Sequence, residues 1–269
     1  MSSIYKKSRI SSDNLKYLLY FTEKELRMNH TDEFRIEGNF RMADVINANE
    51  RLLLIIERFG ISLGFGDKTI FEICREHQLD PLLVLVVMNV FNSHSFPAQG
   101  FLSVNMLPGL ISYLKNGHRY YLKEKLPFIG ELIDRFIENT DNPDTKLLKS
   151  FFREYAREVS EHMSLEETTV FPYILALYNY SENGEPPSEL MNYRIDEFVE
   201  HHSDIEEKLD DLMHLLIKHF PPTKDRFYRN MILLELFNLQ YDLNDHSGIE
   251  NRILAPLVRQ LEEKAGKNE

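Results

Sequence analysis

The chain has 269 residues, enough for one or two domains with a sizeable buried core. Its formal charge of −12 denies it the basic surface that a phosphate backbone requires, so nucleic acid is not an expected partner. The single cysteine, Cys74, excludes an intrachain disulfide framework and fits a reducing compartment.

The opening stretch, MSSIYKKSRISSDN, has basic residues but no apolar signal core behind them. Residues 1–38 read as a leader around one short amphipathic piece, LKYLLYFTEKEL. Residues 39–93 read as a small helical domain: MADVINANERLLLIIERFG has helical spacing ending on Gly60, SLGFGDKT supplies turn chemistry, and two short helices follow, with Pro81 at a first turn. The run from Leu82 to Phe91 is the longest apolar stretch, about half of what a membrane span needs, so a cytoplasmic protein with no membrane segment is expected. Residues 94–103, HSFPAQGFLS, read as a linker.

From 104 to 264 the apolar spacing is helical throughout. Four amphipathic segments, roughly 105–139, 145–180, 188–219 and 224–264, are separated by the breakers NTDNPD, SENGEPP and FPPTKD. Four helices with short connections predict an all-α, up-down-up-down four-helix bundle, preceded by the small helical domain.

Within that bundle one offset recurs. His118 and His202, His162 and His246, Glu166 and Glu250, and Pro172 and Pro256 are each 84 residues apart. Residues four apart lie on one helix face, so each His–Glu pair projects together. His162 shares its stripe with Phe152, Tyr155, Val159 and Tyr173. His246 shares one with Ile232, Leu236, Leu239, Ile253 and Leu257. His118 lies among Leu107, Ile111, Leu114 and Ile129, and His202 among Phe198, Ile205 and Leu209. The same register selects His202 over its neighbour His201.

Buried carboxylates cost several kcal/mol each unless neutralised, and no Lys or Arg recurs at this offset. Imidazole with carboxylate is a ligand set for iron, manganese or zinc, and six ligands from four helices suit two metals bridged by the glutamates. Glu158 and Asp242, each four residues before a site histidine, are expected outer partners that accept an imidazole N–H. Tyr121 and Tyr155 could line the same pocket, or simply pack. His30, His77, His94, His214 and His219 have no such partners and read as surface or loop residues.

HMSLEETTVFP and HSGIENRILAP, preceded by HRYYLKEKLP and EHHSDIEEKL, resemble the hemerythrin-like HHE cation-binding domain. The resemblance implies two non-haem irons, carboxylate- and oxo-bridged, held by His118, His162, Glu166, His202, His246 and Glu250, with manganese as the alternative metal. ERFGISLGFGDKTIFEIC is similar to the N-terminal domain of the repair-of-iron-centres proteins, which restore damaged iron–sulfur clusters under nitrosative or oxidative stress. Where that family carries adjacent cysteines this chain has Leu63 and Gly64, so thiol chemistry does not carry over. The family's extra ligand histidine is also missing, since no His lies between His118 and His162. An open position, water, or a carboxylate such as Glu158 would take its place. The expected function is iron–sulfur cluster repair or the stress response, with iron–sulfur proteins as partners. The alternative is a sensor of oxygen, nitric oxide or redox state that signals through a protein partner.

Overall fold

A computed structural model of the chain describes residues 35–93, 95–139, 144–183, 194–196, 203–220 and 226–266. Residues 1–34, most of the expected 1–38 leader, lie outside these, as do His30, His94, His201 and His202. The described residues are helical, with no strand among them beyond an isolated bridge between Arg41 and Thr69.

Among the described residues four short helices come first: α1 (Met42–Ala48), α2 (Leu52–Arg58), α3 (Ile70–Glu76) and α4 (Pro81–Asn92). The spacing of MADVINANERLLLIIERFG predicts one helix, but two form. Asn49 leaves the helix in extended backbone (φ −147), its Oδ1 accepts from Arg51 N–H, and its amide reaches Asn92 Oδ1 at 3.2 Å. This local side-chain competition is why Asn sits poorly inside helices. Thr69 and Glu72 form a reciprocal capping box that starts α3. Asp80 caps α4, with Pro81 in its first turn.

The bundle is built from four rods. The first is α5 (Leu107–Tyr120) and α6 (Leu126–Glu138), the second α7 (Asp144–Leu165) and α8 (Phe171–Asn183). The third contains α9 (Ser203–His214), and the fourth is α10 (Phe227–Ile249) and α11 (Ala255–Lys264). Rod one packs on rods two and four, and α9 packs on both α7 and α10, giving the expected up-down-up-down order.

Within its described residues each rod contains one widened π turn: Tyr121–Lys125, Glu166–Val170, Leu215–His219 and Glu250–Leu254. In every case a proline follows six residues after the first residue of the turn, at Pro127, Pro172, Pro221 and Pro256. Proline has no N–H, and its ring collides with the carbonyl four residues back. The residue before each proline bonds five residues back instead, Leu126 to Tyr121, Phe171 to Glu166, Phe220 to Leu215 and Ala255 to Glu250. The shared offset of Pro172 and Pro256 thus marks two equivalent π turns, each beginning on a site glutamate.

The apolar interior divides into two clusters. One joins α1–α4 to the end of the bundle around Leu110, Ile174 and Leu257. The other fills the opposite end around Ile133, Leu212 and Leu236. His118, Glu166, His246 and Glu250 occupy the belt between them.

Residues Ile36–Glu269 form one compact unit, so the 39–93 and 104–264 segments share a core. The 94–103 stretch expected to be a linker is pinned down. Arg252, in the last π turn, donates to the carbonyls of Val90, Ser93 and Phe96 at 2.8–3.3 Å, and Phe96 stacks on Phe101. Arg252→Ala leaves those carbonyls without their guanidinium partner. It is expected to cost about 1–3 kcal/mol in thermal or denaturant unfolding, with faster hydrogen exchange in residues 90–101.

Candidate metal centre

Three rods supply the described part of the site. His118 lies near the end of α5, Glu166 begins the π turn of rod two, and His246 and Glu250 flank the junction of α10 with the last π turn. The reason they meet is local: the i,i+4 spacing stacks His162 on Glu166 and His246 on Glu250, and the apolar stripes around them turn both pairs inward.

One ligand-type atom from each of His118, Glu166, His246 and Glu250 lies within 4.8 Å of the others. His118 Nε2 is 2.8 Å from Glu166 Oε2 and 3.2 Å from His246 Nε2. Glu166 Oε1 is 2.8 Å from His162 Nε2, so its two oxygens face imidazoles from two different rods. His246 Nε2 is 3.3 Å from Glu250 Oε1. His118 and both glutamates are at most 1% exposed, and His246 is 4% exposed; His162 stands nearer solvent.

This packing sets the protonation of the site. Burial opposes charge on His118, but the bond and charge of Glu166, with Glu250 and Glu167 adding, raise its pKa above the ordinary histidine value. Burial and the neighbouring Glu250 push the Glu166 carboxyl upward, yet the bonds from His118 and His162 outweigh them and hold it below the usual range. Without a cation, the site therefore favours anionic oxygen beside a protonated imidazole in a buried interior.

The donor set fits a metal ion. Two carboxylates and two imidazole Nε2 atoms converge in one volume, and each can offer a lone pair to a cation that displaces the imidazole proton. The buried guanidinium nearby, Arg58, is directed at Asp242 and Tyr121 instead. A cation among these four groups removes the cost of two carboxylates in an apolar interior.

The expected outer partners differ from the sequence reading. Among the described residues, Glu158 turns to Lys208 and Arg157. Lys208 on the facing rod offers it a full charge in a half-exposed position. Asp242 is buried, but Arg58 from α2 takes its Oδ2 at 2.6 Å, so it does not accept from His246. Tyr121 does border the site, with its ring edge-on to His246 at 5.7 Å. Tyr155 is buried in the apolar cluster and packs on Phe152. His77, His214 and His219 are exposed, as expected. Leu63, at the position of the missing cysteines, is 69% exposed, whereas Cys74 is fully buried and its thiol is pushed up to about 11 by burial.

Sequence reasoning missed Glu167. Its Oε1 bonds His118 Nδ1 at 3.0 Å from a partly exposed position, so among the described residues Glu167 orients this imidazole. The 84-residue register hid it, because the equivalent position is Asn251. The acidic doublet Glu166–Glu167 was the available signal.

Residues 110–258 match the hemerythrin HHE cation-binding domain, more than half of the chain. The chain belongs to the hemerythrin HHE cation-binding family. A curated relative, the iron-sulfur cluster repair protein ScdA of Staphylococcus haemolyticus, is 22% identical over 205 residues, covering 74% of this chain and 89% of that protein. The relative extends the likeness beyond the hemerythrin match. Among the described residues, no helix is long and apolar enough to cross a membrane.

If these carboxylates hold a cation, the hemerythrin-type site should separate stability from binding. Glu166→Gln with Glu250→Gln removes two buried charges and keeps hydrogen-bonding amides. The apo protein is expected to keep or raise its thermal midpoint, while ferrous-ion affinity falls more than about 100-fold, beyond the usual effect of an outer partner. Parallel thermal melts and metal titrations measure both.

Proposed function

We propose that this protein is a non-haem di-iron protein that acts in iron–sulfur cluster repair under nitrosative or oxidative stress, in the cytoplasm. The observation that carries the reading is the convergence of His118, Glu166, His246 and Glu250 in one buried cluster, within a hemerythrin HHE domain. The repair assignment draws on a relative named as an iron–sulfur cluster repair protein whose length this chain largely covers.

In this reading His118, His162, Glu166, His202, His246 and Glu250 hold the two irons. His202 enters by the 84-residue register, as it lies outside the described residues. Bound iron would supply exchange between ferrous and ferric states and positions open to a small ligand or to transfer of the ion. The residues do the rest. Glu166 turns one oxygen toward His118 of rod one and the other toward His162 of its own rod, so it would hold metal with both oxygens. Glu250 is its counterpart. Glu167 fixes the tautomer of His118 by accepting from Nδ1, leaving Nε2 to face the site. The two apolar clusters exclude water from both sides of the belt. Iron is preferred over manganese because of the family resemblance, as the donors suit both. The expected partners are iron–sulfur proteins with damaged clusters and the diatomic ligands oxygen and nitric oxide.

The decisive assay is recovery of activity in an iron–sulfur enzyme whose cluster has been damaged by nitric oxide. The iron-loaded protein is expected to restore activity, His202→Ala to lose that effect, and His201→Ala to retain it. An iron-loaded protein that binds nitric oxide without restoring the enzyme would favour the sensor instead.

A further inference from the structure

Outside the cluster itself, the least expected buried group is Arg58, a guanidinium only 3% exposed and contributed by the N-terminal helices. Its position is fixed from behind. Gly60, at φ +74, ends α2 in a left-handed turn, with Gly60 N–H bonded to the Glu57 carbonyl at 2.8 Å and Ile61 N–H to the Ile56 carbonyl at 2.9 Å. Asn116 of α5 clamps the Arg58 carbonyl at 2.8 Å.

From there the side chain reaches the wall of the metal centre. Arg58 Nη2 donates to Asp242 Oδ2 at 2.6 Å and to the Tyr121 hydroxyl at 3.0 Å. That hydroxyl donates in turn to the Asp242 carbonyl at 3.1 Å. Asp242 stands one helical turn before His246, and the Tyr121 ring meets the His246 imidazole edge-on. Gly117 eases the fit of His246. A Cβ there would lie a tight 3.3 Å from His246 Nδ1 and at an ordinary 3.5 Å from Arg58 Nε, so both groups border the same point of α5.

A buried ion pair is weak as a source of stability, because an apolar pair of similar volume often does as well. What Arg58 adds is geometry: one nitrogen addresses both groups that flank His246. Burial works against its charge, but Tyr121 and Asp242 outweigh that and raise its pKa, so the guanidinium stays cationic.

We propose that Arg58 is a positioning residue for the metal centre, through which the N-terminal helices form the outer wall that holds His246 in place. The inference rests on the metal-centre reading above. It also gives these helices a task that needs no cysteine at positions 63 and 64.

The test uses the full chain titrated with ferrous ion under anaerobic conditions, with a thermal melt of each apo protein. Arg58→Met leaves Asp242 buried without its cation, so both the melting midpoint and iron affinity should fall. Arg58→Met with Asp242→Leu removes the stranded charge. Its midpoint should recover towards wild type while iron affinity stays about tenfold below it, the low end of the loss from outer groups that support a ligand, since neither side chain bonds His246 directly. Recovery of affinity together with the midpoint would make the pair merely structural and overturn the proposal. Tyr121→Phe removes one hydroxyl and strands no charge. It should lower affinity several-fold and alter the absorption spectrum of the loaded site, and wild-type affinity with an unchanged spectrum would count against the proposal even if the double variant failed to fold. Failure of the wild type to bind iron would instead remove the metal-centre reading itself.

Discussion

Two carboxylates in a dry helical interior are the constraint on which this molecule turns. Glu166 and Glu250 lie between two apolar clusters, each large enough to drive packing at its own end of the bundle. Hydrophobic burial would favour closing the gap with aliphatic side chains. The chain instead places histidines against the acids, so that the belt gives up packing energy for a donor set that fits a cation. The π turns belong to the same arrangement. Two of them begin on the site glutamates, and π turns inside α-helices frequently accompany functional sites.

The N-terminal helices are part of this construction. They share a core with one end of the bundle, Arg252 ties the segment after α4 to the last π turn, and Arg58 comes up against Asp242 and Tyr121. A module attached through a loose connection could not place a guanidinium with such definition. The hemerythrin bundle and its N-terminal extension are therefore best regarded as a single body with a metal-binding belt.

Much of this was legible in the sequence because it depends on periodicity. Apolar spacing gave four rods, and the 84-residue offset singled out His118, His162, Glu166, His202, His246 and Glu250, of which His118, Glu166, His246 and Glu250 converge in one buried cluster; residues on equivalent faces of equivalent rods recur in equivalent registers. The prolines at 172 and 256 were visible too, although their meaning as π-turn markers needed the backbone. What stayed hidden was tertiary. Glu167 has no counterpart at the shared offset, and its partner lies on another rod. Arg58 comes from a segment whose pattern says only that it is a short amphipathic helix. Asp242 was found by register but given the wrong partner, since spacing shows which face a residue occupies and cannot show which long side chain reaches it from elsewhere. Asn49 broke a helix that apolar spacing alone would have continued.

The likeness to an iron–sulfur cluster repair protein is low in identity but broad in coverage, and the hemerythrin match covers the bundle that carries the site. The account is tested most directly by elemental analysis of the protein purified and reconstituted with ferrous ion. It predicts about two irons per chain, the number that a six-donor set with two bridging carboxylates supports. A chain that holds no metal after reconstitution, yet is folded, would contradict it.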